Sequence, residues 1–125
     1  MILKRGGELK NNRKTGAECE QKAARFLESR GYEIVDKNYY CPHGEIDIIA
    51  KEAWDIVFVE VKYRKNFIYG GPECAVNFKK RKHMIESAMC YMAQKYENVD
   101  ISCRFDVVAI TGSEIHLIKN AFDSM

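Results

Sequence analysis

No stretch of this 125-residue chain comes near the roughly 20 consecutive apolar residues of a membrane span, which excludes a transmembrane helix. The N-terminus, MILKRGGELKNNRKTG, lacks the apolar core of a secretory signal, so a cytoplasmic location is expected. Five cysteines, Cys19, Cys41, Cys74, Cys90 and Cys103, form no C-x-x-C pair. The usual zinc-site spacing is therefore missing, and the thiols read as reduced residues in or beside the core. Cys41 and His43 read as neighbours in a turn, and neither His83 nor His116 has a catalytic partner visible in sequence. No internal repeat occurs. What remains is a chain 46% hydrophobic and 30% charged, long enough for one domain with a true core.

A net charge of +2 says nothing about partners, but its distribution is uneven. Lys4, Arg5, Lys10, Arg13 and Lys14 crowd the first segment, and Lys79, Lys80, Arg81 and Lys82 form a second cluster. Such clusters suit phosphate backbones, and a solvated tail or helix start explains them as well. Residues 1–15 read as a basic flexible tail and 16–125 as a single domain. Thr15 and Glu18 form a capping-box pattern opening a first helix, with Gly31 placed to end it. Glu20 shares a helical face with Ala23, Ala24 and Leu27, so it points along the stripe that should meet the core. A boundary glutamate whose stem packs while its carboxylate reaches water fits that position too.

YEIVDKNYY, residues 45–50, residues 56–63, CRFDVVAI and EIHLIKNAF read as strands. A second helix is expected over 77–96, with Ile85, Ala88, Met89, Met92 and Tyr96 as its core face. The order α-β-β-β-α-β-β predicts a three-layer α/β domain with a mixed sheet.

The acids in GEIDIIAKEAWDIVFVEVKYR carry the chemistry. Strand alternation puts Glu45, Asp47 and Ile49 on one face, and Phe58, Glu60, Lys62 and Arg64 on one face of the next strand. Setting Asp47 opposite Glu60 aligns Ile46, Ile48 and Ala50 with the valines, whereas a one-residue slip mixes charge into both faces. That register centres on Ala53 and Trp54, poor chemistry for a two-residue turn, so a wider loop is expected. Two carboxylates face to face destabilise a bare sheet unless a proton, hydrogen bonds or a cation intervenes. Such oxygen ligands suit Mg²⁺ or Mn²⁺, with Lys62 beside the ion. A Glu45–Lys62 salt bridge, with Asp47 and Glu60 on a solvated face, fits the pattern equally.

The D-x₁₂-E-x-K pattern, the acidic first helix and the element order together resemble the PD-(D/E)xK nuclease superfamily. The chain looks most like the YraN-like bacterial proteins, described as predicted endonucleases distantly related to archaeal Holliday junction resolvases. ECEQKAARFLESRGYEIVDKN, GEIDIIA, VFVEVKYR, the lysine-rich helix start, RFDVVAI and the closing NAF carry that resemblance. It implies a restriction-endonuclease-like core and a metal-dependent endonuclease hydrolysing phosphodiester bonds in DNA, including branched DNA. A non-catalytic nucleic-acid-binding module on the same fold is the alternative. Asp47, Glu60 and Glu20 would be the metal acids and Lys62 the catalytic lysine. Arg64, Lys79, Lys80, Arg81 and Lys82 would contact nucleic acid. A homodimer is expected by analogy with resolvases. Asp106 shares a face with Arg104, and pairing between the two explains it as well as catalysis does. Cys19 stands where the family usually has glycine, and Tyr40 where arginine is common; neither removes a ligand.

Overall fold

The computed structural model describes residues 2–64, 76–96 and 100–123, with side chains from Gly16 onward and that of Arg64 excepted. The elements are α1 (Ile2–Ser29), β1 (Glu33–Cys41), β2 (Gly44–Glu52), β3 (Asp55–Arg64), α2 (Phe78–Lys95), β4 (Cys103–Thr111) and β5 (Glu114–Phe122). They form one mixed sheet in the order β1-β2-β3-β4-β5. Only β3 and β4 run parallel, as α2 crosses between them; the other pairs are antiparallel.

Each helix covers one face of the sheet. On the α1 side Ala23, Ala24 and Leu27 bury against Ile48, Ala50, Val57, Val59, Val108 and Ile110. On the α2 side Met84, Ala88 and Tyr91 bury against Ile49, Phe58, Phe105, Val107 and Phe122. A sheet apolar on both faces needs both layers, which makes this a three-layer α/β fold consistent with a nuclease-like core.

Gly31 ends α1 as its sequence position suggests. With φ +92 it turns the chain, and the Tyr32 N–H returns to the Leu27 carbonyl at 3.0 Å. The other end differs from expectation. The helix extends back to Ile2, so Thr15 lies within it rather than at its start. Extending a nucleated helix costs little per residue, and no proline interrupts residues 2–16.

The β2–β3 register follows the expected one: Ile48 faces Val59, Ile49 faces Phe58 and Ala50 faces Val57. The loop does not. Glu52 pairs with Asp55, leaving a two-residue turn of Ala53 and Trp54, with Ala53 at φ +55 and Trp54 exposed. Ladder pairing on both sides overrides the poor local chemistry. An alanine held in the left-handed region is strained, so Ala53→Gly is expected to stabilise the fold by about 0.5 kcal/mol. A higher urea midpoint with an unchanged slope would show it.

The buried face of α2 is rotated from the expected one. Met84, Ser87, Ala88 and Tyr91 are buried, Ile85, Met92 and Tyr96 are partly so, and Met89 is 67% exposed. Ile46 also departs, packing in the α2-side cluster while Ile48 and Ala50 pack in the α1-side one. The apolar face is broken next to Asp47.

A candidate carboxylate site where two strands part

The paired ladder of β2 and β3 reaches Ile48 and Val59 and stops; the next residues in register are Asp47 and Glu60. There the Asp47 side chain takes over from the ladder, its Oδ2 accepting the Val61 N–H at 2.8 Å. The strands separate at that point, and both carboxylates enter the gap. Asp47 is 8% exposed and Glu60 4%, so the solvated-face arrangement does not occur. A protonated Asp47 carboxyl can donate a hydrogen bond to Glu60. Burial, followed by that bond and the charge of Glu60, pushes Asp47 up to about 8; the Val61 N–H and Lys80 oppose the shift only in part. Asp47 therefore holds a proton at neutral pH, the response of a like-charged pair withdrawn from water.

Lys80, from the first turn of α2, places its ammonium 3.3 Å from Glu60 Oε2. The approach is not along a hydrogen-bonding direction, and this buried oxygen has no hydrogen bond. Asn77 caps the helix by accepting the Lys80 backbone N–H at 2.9 Å, which fixes the turn carrying that ammonium. Lys80 thus faces the acid pair rather than an outer surface.

Glu20 approaches from α1. Burial raises its carboxyl pKa, and the charge of Asp47 adds to the shift. With its amide oriented to donate, Asn38 lies 2.9 and 3.1 Å from the two Glu20 oxygens. Asn38 is level with Asp47 on β1, between the pairs Lys37–Ile48 and Tyr39–Ile46, and has φ +52. Asparagine tolerates that conformation better than most residues, so the amide that holds Glu20 also suits its backbone. Sequence reasoning missed Asn38; an asparagine inside a strand pattern was the available signal.

Lys62 lies two residues beyond Glu60 on β3, level with Ala109, and is half-buried. It forms no ion pair with Glu45, whose carboxylate lies near the exposed Tyr40 hydroxyl and raises its pKa. Arg64 ends β3, with its side chain outside the described residues, as are those of Lys4, Arg5, Lys10, Arg13 and Lys14. The second basic cluster divides. Lys79 and Lys82 are exposed, whereas Arg81 donates to the Val76 carbonyl at 3.0 Å and lies over the Phe122 ring.

Asp106 is elsewhere and structural. Fully buried, it accepts from Arg104 Nε and Nη2 at 2.9 Å each, from the Tyr32 hydroxyl at 2.8 Å and from the Asn120 N–H at 2.9 Å. Arg104 also reaches Glu52 at 2.7 Å and Asp55 at 3.1 Å, joining the β2–β3 turn to the start of β4.

A divalent cation fits the site on two counts. One buried Glu60 oxygen is without a hydrogen bond, and the Asp47–Glu60 pair holds a proton that a cation would replace. The fit is with two carboxylates plus water, since no group of three or more acidic, histidine or cysteine side chains converges to hold a metal among the described residues.

A mixed five-stranded sheet between two helices, with an acid pair where two strands part, defines a three-layer α/β protein, consistent with a nuclease-like core. The chain belongs to one family: the profile described as "Uncharacterised protein family UPF0102" matches residues 19–110. A UPF0102 protein of Lachnoclostridium phytofermentans is 44% identical over 114 residues, covering 91% of this chain and 97% of that protein. The UPF0102 protein YraN of Shigella boydii is 41% identical over 112 residues, covering 89% and 86%. One from Caldicellulosiruptor saccharolyticus is 42% identical over 118 residues, covering 90% and 99%. No helix among the described residues is long and apolar enough to cross a membrane.

Proposed function

We propose that this protein is a divalent-cation-dependent endonuclease acting on DNA, with Asp47 and Glu60 as its metal carboxylates. The buried acid pair where the β2–β3 ladder ends supports this most directly. A structural carboxylate pair gains nothing from burial beside its own kind, whereas a cation site needs such a pair. A bound Mg²⁺ or Mn²⁺ would supply Lewis acidity toward a phosphodiester oxygen. The chain's own groups do the remainder. Glu60 and Asp47 would hold the cation once Asp47 has lost its proton. Glu20, steadied by Asn38, adds negative charge on the α1 side. Lys62, extending along β3 past Glu60, offers an ammonium toward charge developing on the phosphate. Lys79 and Lys82 offer positive charge for flanking phosphates, and Lys80 holds its ammonium beside Glu60. DNA as the substrate, a dimer matching paired cuts and a cytoplasmic site of action belong to the same proposal.

A second reading has its own support. Asp47 protonated and Glu60 beside Lys80 make a nearly balanced pair without any cation, as a non-catalytic nucleic-acid-binding module would need. One experiment separates the two. Duplex, nicked and four-way DNA are incubated with Mg²⁺ or Mn²⁺, using Glu60→Ala as the control. Cation-dependent cleavage lost in Glu60→Ala is expected. Absence of a cation-dependent cut on every substrate overturns the enzyme reading. DNA binding that persists in EDTA, weakens with salt and ignores Glu60→Ala would establish the binding module instead.

A further inference from the structure

A second reactive group lies at the β1–β2 turn, away from the acid pair. Cys41 ends β1 and pairs with Gly44 across the two-residue turn Pro42–His43. That turn rests on α2. A Cβ on Gly44, whose φ is +148, would stand 3.4 Å from His83 Cβ and 3.7 Å from Ser87 Oγ. His43 Nδ1 lies 2.9 Å from Glu86 Oε2, fastening the turn to the helix. The Cys41 sulfur is consequently held 3.2 Å from the Ser87 hydroxyl, whose residue is fully buried. The backbone N–H groups of His43 and Gly44 also point at that sulfur. Cys90, three residues after Ser87 on the same helix, brings its thiol near enough for the two to perturb each other's titration.

Neither thiol belongs to a core cluster, and both are half-buried rather than sealed. The Cys41 S–H donates to the Ser87 hydroxyl, and a sulfur with two backbone N–H groups and a second thiol beside it resembles an anion site more than a packing position.

We propose that Cys41 and Cys90 form a redox-active dithiol, with Cys41 as the peroxide-reactive thiolate and Cys90 as the resolving thiol. Cys41 attacks one peroxide oxygen, giving a sulfenic acid and releasing hydroxide. Cys90 then loses its proton and attacks the Cys41 sulfur, forming the disulfide as hydroxide leaves; the two thiols are oxidised by two electrons and the peroxide is reduced to water. Burial alone would raise Cys41, but Ser87, the two backbone N–H groups and Cys90 outweigh it and lower the thiol below its ordinary value. Burial and the neighbouring Cys41 raise Cys90. The resulting disulfide ties the turn immediately before Glu45 and Asp47 to the helix that carries Lys80. The proposal is independent of the nuclease reading.

Exposure alone points to a different residue. Cys103 is the exposed thiol among the described cysteines, yet burial of its sulfur and the nearby Asp55 raise its pKa. Competition between Cys41 and Cys103 is therefore decisive. The reduced full chain is treated with stoichiometric hydrogen peroxide, quenched with N-ethylmaleimide, denatured and mapped without reductant. The free-thiol count is expected to fall from five to three, with a linked Cys41–Cys90 peptide that dithiothreitol releases. In Cys90→Ser, dimedone should trap a sulfenic acid at Cys41; in Cys41→Ser, oxidation of Cys90 should slow by about tenfold. Oxidation of Cys103 ahead of Cys41, or loss of free Cys41 without any linked peptide, overturns the proposal. The wild-type map decides the question even if a variant fails to fold.

Discussion

Asp106→Ala is expected to lower the unfolding free energy by about 3–5 kcal/mol, enough to threaten folding of a small domain. The carboxylate takes four hydrogen bonds from three residues while fully buried. Its removal strands the Arg104 guanidinium, the Tyr32 hydroxyl and the Asn120 N–H together. Arg104 would keep Glu52 and Asp55, but it is only 15% exposed and cannot recover its hydration without movement. The Asn120 N–H has a particular need for the acid. On β5 the residues Lys119–Ala121 stand against the single residue Asp106 of β4, so the ladder is broken there, and Asn120 has φ +51. Asp106 supplies the acceptor that the broken ladder does not. Urea unfolding should therefore show a large fall in midpoint for Asp106→Ala and a smaller one for Asp106→Asn, which keeps an acceptor oxygen. A change below about 1 kcal/mol in Asp106→Ala would show that water satisfies these donors instead.

Asp47→Asn is expected to stabilise the cation-free protein while abolishing any cation-dependent cleavage. Asp47 titrates at about 8 in the folded chain, against an ordinary value of 3.8. Because the folded value is raised, the associated stability is fully present below the unfolded value and is lost as pH rises through the folded one. In EDTA the wild-type protein should weaken progressively between about pH 4 and pH 8. Asparagine carries no such charge, so the variant should exceed wild type by on the order of 2–4 kcal/mol at pH 8 and approach it near pH 4. Mg²⁺ or Mn²⁺ should reverse the ranking by binding the wild-type pair with release of its proton and failing to bind the variant tightly. Thermal unfolding across this pH range, with and without the cation, measures both effects. Equal stability of the two proteins at pH 8 in EDTA would show that Asp47 is ionised and compensated in the folded state.

A stability gain coupled to a loss of function marks an arrangement kept for chemistry rather than for folding. The same site shows how far the sequence reaches. Period-two alternation with a penalty for mixed faces sufficed to set Asp47 in register with Glu60, because a one-residue slip would turn every side chain over. It did not show that the ladder stops at Ile48 and Val59 and that the Asp47 carboxylate itself receives the Val61 N–H. Nor did it show Ile46 and Ile48 packing in different layers, since alternation assumes a regular strand and the chain departs from one there.

Lys80 and Asn38 were illegible for a related reason. A run of four basic residues at a helix start looks like one patch, yet successive helical residues point about 100° apart. Lys80 turns to Glu60, Arg81 to Val76 and Phe122, and only Lys79 and Lys82 remain outward. The four therefore do three different things. The Arg104–Asp106 pairing was foreseeable from two residues on one strand face, but Tyr32, Glu52, Asp55 and Asn120 joined it from remote parts of the chain.

By itself the sequence determined the element order, the β2–β3 register, the end of α1 at Gly31 and the opposition of two acids. These follow from local periodicity, glycine's backbone freedom and the cost of turning a strand over. Only the tertiary structure decided that the acids are buried together, and that Asn38 and Lys80 attend them from β1 and α2. The tight Ala53–Trp54 turn and the meeting of Cys41 with Cys90 were likewise decided by elements distant in sequence. Burial and contacts across layers depend on which surfaces meet, and no spacing along the chain encodes that directly.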